Sequence, residues 1–247
     1  MPTAAEPFGE VRDRAVYLPE AGTLIVADLH LGKAAASAVD APVDEGPAMV
    51  DRLGELLDRY EPTTVVLAGD VLHAFDHVPQ AAREAVAALT ARVADAGAEF
   101  VPLSGNHDAQ LGALTADEPA AERRLADGTL VCHGHEAPNE EGDRYVCGHL
   151  HPAIEIEGRK RDCFLYDPAG YRGRPTLTLP AFSTFAAGLR IERRTAVDSP
   201  LVPDIDAVRP GVVTDEGSRA SGAASADDDP ETLWFPPLAD LRPHLRR

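Results

Sequence analysis

Five short motifs contain the residue types that most often bind metal ions in proteins. They bring carboxylate, amide and imidazole side chains together within a few residues: Asp28-Leu-His30, Gly69-Asp70, Gly105-Asn106-His107-Asp108, His133-Gly-His135 and Gly148-His149-Leu-His151. Residues two apart in an extended segment point to the same side. The first and last motifs can therefore each present two ligands in one direction, and the chemistry that they indicate is metal binding.

The number and kind of these ligands predict two ions. Two carboxylates, one amide oxygen and four imidazoles exceed what a single tetrahedral zinc ion takes, and they suit two metals that share one carboxylate. Ca²⁺ and Mg²⁺ prefer shells made of oxygen alone, whereas a mixed nitrogen and oxygen set favours transition metals. We therefore predict two divalent transition metal ions, with Mn²⁺ preferred and Fe or Zn²⁺ as alternatives.

Each motif has a simpler explanation when it is taken alone. A lone Asp at the end of a strand usually caps a helix or a turn, and a lone His in a loop is usually polar surface. The first motif is weakly specific, the last is moderately specific, and Gly-Asn-His-Asp after a strand is specific. Neither simple explanation accounts for five such motifs that each follow an apolar run.

The elements that precede the motifs predict how they are positioned. Three apolar runs are typical of buried strands, "TLIVA", "TTVVLA" and "AEFVPL", and the stretches 48–60 and 79–97 between them have helical spacing or composition. This β-α-β-α-β order predicts a parallel sheet with helices on its faces, in which ligands bind beyond the carboxyl ends of the strands. The second half has short strands with turns and predicts a second, more antiparallel sheet.

The chain of 247 residues has a net charge of −18 and only two lysines, Lys33 and Lys160. Such a charge normally argues against nucleic acid or anionic membranes as partners. High Asp and Glu content with scarce Lys and abundant Ala, however, resembles proteins of salt-accumulating halophiles. At about 1 M salt the Debye length is only about 3 Å, so local Arg patches still bind phosphates. We therefore predict a halophilic protein and do not exclude DNA as a partner.

Compartment and domain limits follow from composition. No apolar run reaches the roughly 18 residues of a membrane span, and we find no signal peptide, so we expect a cytoplasmic protein without membrane partners. Three cysteines without zinc-type pairing are expected to be free, buried thiols. We predict one domain over 1–196, an acidic flexible linker over 197–231, and a C-terminal segment over 232–247 that docks on the domain or binds something else.

The order of the five motifs resembles the calcineurin-like metallophosphoesterase superfamily, over roughly residues 11–194. The resemblance implies an α/β fold in which a sandwich of two sheets is flanked by helices. It also implies how the ligands divide: Asp28, His30 and His151 for one metal, Asn106, His133 and His149 for the other, and Asp70 as the bridge. His107 would not bind metal but would protonate the leaving group or steady the transition state.

Three segments, "DLHLGK", "GDVLH" and "LPAFSTFAAG", resemble the DNA-ligase-associated, nuclease-like metallophosphoesterases. "GDVLH" is also similar to a segment of the double-strand-break repair nucleases. These resemblances imply a phosphate-ester substrate that includes DNA, and a DNA-repair protein as partner.

The implied function is hydrolysis of phosphate esters by a hydroxide that bridges the two metals, in a phosphodiesterase or nuclease. The alternatives are a hydrolase of small nucleotides or phosphomonoesters, and a metal-bound scaffold without catalysis, against which the retained His107 argues. Lys33 and His73 are predicted to contact substrate, although a solvated lysine and a packed histidine are simpler explanations. Asp108 is predicted to orient His107 or, equally, to cap a turn.

Overall fold

The first sheet contains the three strands that precede the first metal motifs. The computed structural model describes residues 7–33, 46–73, 77–193, 196–213 and 232–245. In spatial order this sheet comprises β1 (Glu10–Arg12), β2 (Ala15–Leu18), β3 (Thr23–Val26), β4 (Thr64–Ala68) and β5 (Glu99–Leu103). The pairs β1–β2 and β2–β3 are antiparallel, whereas β3, β4 and β5 run parallel. The carboxyl ends of the three parallel strands therefore lie at one edge, as predicted.

Two helices, α1 (Gly46–Tyr60) and α2 (Gln80–Asp95), cover one face of this sheet. The buried apolar residues of α1 recur every three or four positions and form one stripe. That stripe packs in one core with Leu24 and Val26 of β3, while the alternate residues Ile25 and Ala27 belong to a second core. The strand is therefore buried on both faces, which explains why it is apolar throughout.

The second sheet is built from the remaining strands. They are β6 (Glu122–Arg124), β7 (Thr129–Cys132), β8 (Arg144–Cys147), β9 (Pro152–Ile156), β10 (Arg159–Asp167), β11 (Thr176–Thr178), β12 (Leu189–Arg190), β13 (Arg209–Val213) and β14 (Thr232–Trp234). The spatial order is β12-β9-β10-β11-β8-β7-β6, with β13 paired to β10 and β14 paired to β13. Among the described strands, β7 and β11 each pair in parallel with β8, and β12 pairs in parallel with β9. The other five pairs are antiparallel, so the sheet is mixed and more antiparallel than the first, as predicted.

A shared core joins the two sheets face to face. Ile25 and Val66 of the first sheet pack with Val131, Val146 and Phe164 of the second. The predicted α/β fold, with two sheets in a sandwich flanked by helices, is thus confirmed.

The C-terminal residues pack against both faces of the second sheet. Helix α3 (Leu238–Leu245) buries Leu238 and Leu241 in a core with Ile154 and Leu165. Trp234 of β14 lies against Phe164, with ring centroids 6.4 Å apart.

The predicted linker over 197–231 differs from the structure in its first part. Arg209–Val213 form β13 in the second sheet, and Leu201 and Val208 are buried. The sheet therefore continues past the predicted domain boundary at residue 196, because scattered apolar residues in this polar stretch pack against β10. Residues 214–231 lie outside the described residues.

The three cysteines are free and buried, as predicted. Burial raises the pKa of Cys147 to about 12, so this thiol stays protonated at neutral pH and is unreactive.

Across the described residues, no helix is both long and apolar enough to cross a membrane.

Candidate metal centre

The loops after β3 and β4 run side by side beyond the strands and carry three predicted ligands. The backbone N–H of Asp28 donates to the carbonyl of Gly69 at 3.1 Å, and that of His30 donates to the carbonyl of Asp70 at 2.9 Å. These bonds continue the parallel pairing of the sheet into the loops. Asp28, His30 and Asp70 are therefore brought to one place by the sheet itself.

Five predicted ligands have a left-handed backbone conformation that L-residues rarely adopt. The φ angles are +58° at Asp28, +48° at His30, +49° at Asp70, +70° at His149 and +44° at His151. Each such residue costs roughly 1–3 kcal/mol and persists only where its surroundings hold it. Half of the ten described non-glycine residues with positive φ are thus predicted ligands, so backbone strain is concentrated at this site.

Two glycines let the ligand loops approach each other closely. A Cβ atom on Gly105 would lie 2.2 Å from Oδ1 of Asp70, and one on Gly148 would lie 2.5 Å from Oδ2 of Asp28. Any side chain at either position would displace a carboxylate. The glycine that precedes Asn106 and the one that precedes His149 are therefore required by the packing of the loops.

Four side chains form a buried cluster whose donor atoms fit a metal ion. One donor atom from each lies within 4.8 Å of the others, from Asp28, His30, Asp70 and His151. The Nε2 atoms of His30 and His151 are 3.0 Å apart, and Oδ1 of Asp28 is 3.2 Å from Nε2 of His151. Adjacent ligands of an ion with bonds of about 2.1 Å lie about 3 Å apart in octahedral geometry. Donor set and spacing both fit a divalent transition metal.

The protonation states of this cluster also suit a cation. Burial alone raises the pKa of Asp28, but the charges and hydrogen bonds of His151 and His133 outweigh it and hold the pKa below its usual value. Burial lowers the pKa of His30 to about 3, which keeps the imidazole neutral at pH 7. An ionised carboxylate and a neutral imidazole are the forms that coordinate metals.

The second predicted set is brought together less completely. His133 is buried, with Nε2 3.2 Å from Oδ1 of Asp28 and 3.5 Å from Oδ2 of Asp70. His149 packs beside it, with ring centroids 4.9 Å apart. Asn106 lies in the loop after β5 with its residue surface exposed. Its place as a metal ligand stays a prediction.

His107 lies at the edge of the cluster and is tied to it through its backbone. Its N–H donates to Oδ1 of Asp70 at 3.0 Å, while Nε2 of its ring lies 4.0 Å from Oδ2 of the same carboxylate. Its side chain is 24% exposed, which leaves it accessible from solvent.

Asp108 makes the contacts of a loop cap. Its carboxylate accepts hydrogen bonds from the backbone N–H groups of Gly105, Val71 and Leu72 at 2.9, 3.2 and 2.8 Å. It thereby fastens the loop after β5 to the loop after β4. These contacts match the turn-capping alternative, and they engage both carboxylate oxygens with backbone.

His73 and Lys33 stand beside the cluster. The ring of His73 is 5.5 Å from that of His30 and 5.0 Å from that of His107. Burial is the main cause that lowers the pKa of His73, and the charges of His107 and Lys33 lower it further. The N–H of Lys33 donates to the carbonyl of His30 at 3.1 Å, so both residues lie at the rim of the cluster.

Sequence reasoning missed the segment that supports both histidine motifs of the second sheet. Nε2 of His149 donates to the carbonyl of Asp198 at 2.9 Å, and Oγ of Ser199 donates to the carbonyl of Gly134 at 2.7 Å. Nε2 of His149 thus faces backbone. A backbone carbonyl leaves no signal in a sequence, and this segment falls within the predicted linker.

Comparisons with known proteins place the chain in a family. A family model described as calcineurin-like phosphoesterase matches residues 23–156. The crystal structure of Pseudomonas putida nuclease MPE is 27% identical, with a TM-score of 0.55 over 81% of this chain and 88% of that one. The structure of Yfce, a phosphoesterase from E. coli, is 16% identical, with a TM-score of 0.41 over 78% of this chain and 88% of that one. No curated protein matches the chain by sequence.

Proposed function

Because the chain belongs to the calcineurin-like phosphoesterase family, we propose that it is a phosphodiesterase that uses two divalent metal ions and cleaves nucleic acid. The observation that carries this proposal is the buried cluster of Asp28, His30, Asp70 and His151 at the carboxyl edge of the parallel strands. The likeness to a nuclease at 27% identity supports the choice of a diester.

The ligands divide as the family resemblance implies. Asp28, His30 and His151 would hold one ion, Asn106, His133 and His149 would hold the other, and Asp70 would serve both. Bound divalent ions, for which we propose Mn²⁺, supply positive charge that activates water and neutralises phosphate oxygens. The mixed imidazole and carboxylate donors support a transition metal.

The chain supplies the proton that the leaving oxygen needs. His107 is partly exposed beside Asp70, and a hydrogen bond from its backbone to that carboxylate fixes its position. An imidazolium at this place donates a proton to the departing alkoxide, which general acid catalysis typically rewards by about 10²–10⁴-fold.

Two further side chains at the rim bind the phosphate. Lys33 carries a permanent positive charge, and an imidazole such as His73 can donate a hydrogen bond to a phosphate oxygen. The proximity of His73 to His107, at 5.0 Å between ring centroids, supports a shared contact with one phosphate group.

The test is activity of the full chain on three substrates in high KCl with Mn²⁺. The substrates are single-stranded DNA, methyl p-nitrophenyl phosphate as a small diester, and p-nitrophenyl phosphate as a monoester. We expect cleavage of both diesters, loss with EDTA and recovery with Mn²⁺. Turnover of the monoester alone would replace the diesterase by a monoesterase.

The two-ion part of the proposal is tested by metal analysis. We expect about two Mn²⁺ per chain after saturation, and a larger loss of metal in Asp70→Asn than in His151→Asn, since only Asp70 serves both ions. A ratio of one ion per chain in the wild type would contradict the dinuclear site.

A further inference from the structure

A loop of the second half of the chain, residues 181–189, connects two metal-ligand loops; we call it the rim loop. At its start the N–H of Phe182 donates to the carbonyl of Ala27 at 2.8 Å, and that of Ser183 donates to the carbonyl of Asp28 at 3.3 Å. At its end the N–H of Leu189 donates to the carbonyl of His151 at 3.0 Å. The rim loop is therefore anchored on the backbone of two predicted ligands of the same ion.

Three cations hold the rim loop by its carbonyl groups. Arg14 donates to the carbonyl of Ala181 at 2.9 Å, Arg52 donates to that of Phe182 at 2.6 Å, and Lys160 donates to that of Ala186 at 3.0 Å. Carbonyl groups on both sides of residue 185 are thus bonded, so the loop is held in one conformation. Lys33, one of the two lysines of the chain, follows the first ligand loop, and its N–H donates to the carbonyl of His30 at 3.1 Å.

At the middle of this restrained loop stands an exposed aromatic ring. Phe185 is 46% exposed, and its N–H donates to Oγ of Ser183 at 3.1 Å. Its Cα is at most about 7 Å from that of Ser183, because consecutive Cα atoms are 3.8 Å apart. Among the described residues, the large apolar side chains that reach such exposure are Phe185 and Leu233 of β14.

We propose that Phe185 is a stacking platform for an unpaired base of the nucleotide next to the scissile phosphate. Proteins that bind single strands combine cations along the backbone with aromatic rings on which bases stack. An aromatic ring on a rigid loop stacks at little cost in conformational entropy. This inference rests on the proposed function, and it specifies its substrate as single-stranded nucleic acid.

A single exposed apolar side chain is by itself ordinary surface, so the test compares Phe185 with Leu233. The variants Phe185→Ala, Phe185→Trp and Leu233→Ala are assayed on single-stranded DNA and on methyl p-nitrophenyl phosphate, which has no base. We expect Phe185→Ala to lower kcat/KM on DNA about tenfold through a higher KM, and to leave the small diester unchanged. Phe185→Trp and Leu233→Ala should retain wild-type activity on both.

Combining the Phe185→Ala variant with an abasic substrate tests directly whether the ring of Phe185 contacts a base. An oligonucleotide with a single scissile position is compared with one that lacks the base beside that position. The kcat/KM of the wild type should be about tenfold lower on the abasic strand, whereas Phe185→Ala should cleave the two strands equally well. An equal abasic loss in both proteins would overturn the stacking role.

The controls separate this inference from the proposed function. If the wild type cleaves neither diester with Mn²⁺, the proposed function fails. If it cleaves the small diester but not single-stranded DNA, the diesterase stands, whereas the nucleic-acid substrate and the stacking role are both overturned. If Phe185→Ala has full activity on DNA, only the stacking role is overturned. A fall on both diesters together, with melting unchanged, also overturns it, because the ring would then act on the metal cluster.

Discussion

At the scale of single residues, His107 is tied to the cluster by its backbone N–H, which donates to Oδ1 of Asp70 at 3.0 Å. We expect His107→Ala to keep both metals and to lower cleavage of DNA by about 10²–10⁴-fold. A nitrophenolate leaves without protonation, so turnover of methyl p-nitrophenyl phosphate should fall far less. Metal analysis and kcat on the two substrates provide the measurement.

The matched control for His107 is His77, an exposed histidine outside the cluster. His77→Ala should have the metal content and activity of the wild type. Equal losses for His107→Ala on good and poor leaving groups would contradict the role as an acid, and loss of metal would show that the ring coordinates.

The left-handed backbone at the predicted ligands is expected to lower the stability of the metal-free protein. His151 has a φ of +44°, a conformation that costs a side chain about 1–2 kcal/mol but costs glycine nothing. Both His151→Gly and His151→Ala remove the ligand. We expect His151→Gly to be more stable by about 0.5–1 kcal/mol in urea unfolding with EDTA, since relief of strain exceeds the entropic cost of glycine.

His135 provides the comparison, because it lies in a neighbouring loop and its φ is not positive. The variant His135→Ala should be more stable than His135→Gly by about 0.5–1 kcal/mol. The same order at both positions would show that the conformation of His151 stores no strain.

At the scale of elements, the short strands β7 and β8 depend on a charged turn at the end opposite to the metal cluster. Oδ1 of Asp127 accepts a hydrogen bond from the N–H of Thr129 at 2.9 Å, and its other oxygen pairs with Arg144. Nε of Arg144 donates to Oγ1 of Thr129 at 2.8 Å. The turn thus joins the first residues of two strands whose far ends carry His133 and Gly148.

This network makes stability depend on pH. Burial alone raises the pKa of Asp127, but its hydrogen bonds to Thr129 and Arg144 outweigh it and lower the pKa in the folded state. A lowered pKa stabilises the fold fully above the unfolded value, and this stabilisation is lost as the pH falls through the folded value. We expect Asp127→Asn to cost about 1 kcal/mol at pH 7 and nothing once Asp127 is protonated, as measured by urea unfolding across that range.

Asp143 is the control on the same pair of strands. It is exposed and lies 3.8 Å from Arg124, a surface pair that contributes little. Asp143→Asn should therefore leave stability nearly unchanged at every pH, and a cost equal to that of Asp127→Asn would contradict the role of the buried turn.

At the scale of the whole molecule, 41 acidic against 23 basic residues create strong self-repulsion at low ionic strength. We expect the melting temperature to rise steeply with KCl between 0.1 and about 1 M, where screening becomes nearly complete. The melting temperature is also measured in a nonionic osmolyte at equal osmolality. This separates the screening of charges from the stabilisation by solutes that are excluded from the protein surface. A melting temperature that is constant up to about 3 M KCl would contradict the predicted adaptation to salt.

The sequence by itself determined the central sheet and the edge at which the metal cluster lies. Apolar runs such as 23–27 and 65–68 are buried on both faces, and this leaves a strong local signal. Parallel pairing then places their carboxyl ends together without any knowledge of distant contacts. The order of polar residues after those runs was therefore sufficient to identify Asp28, His30 and Asp70 as neighbours.

Only the tertiary structure decided how these residues are held and what surrounds them. The positive φ of His151, the carbonyl of Asp198 that bonds His149 and the anchoring of Ser183 on Asp28 depend on contacts across large separations in the chain. Backbone groups make most of these contacts, and every residue carries the same backbone groups. No pattern of side chains predicts them, and for the same reason the polar segment around Asp198 has the composition of a linker although it supports His149.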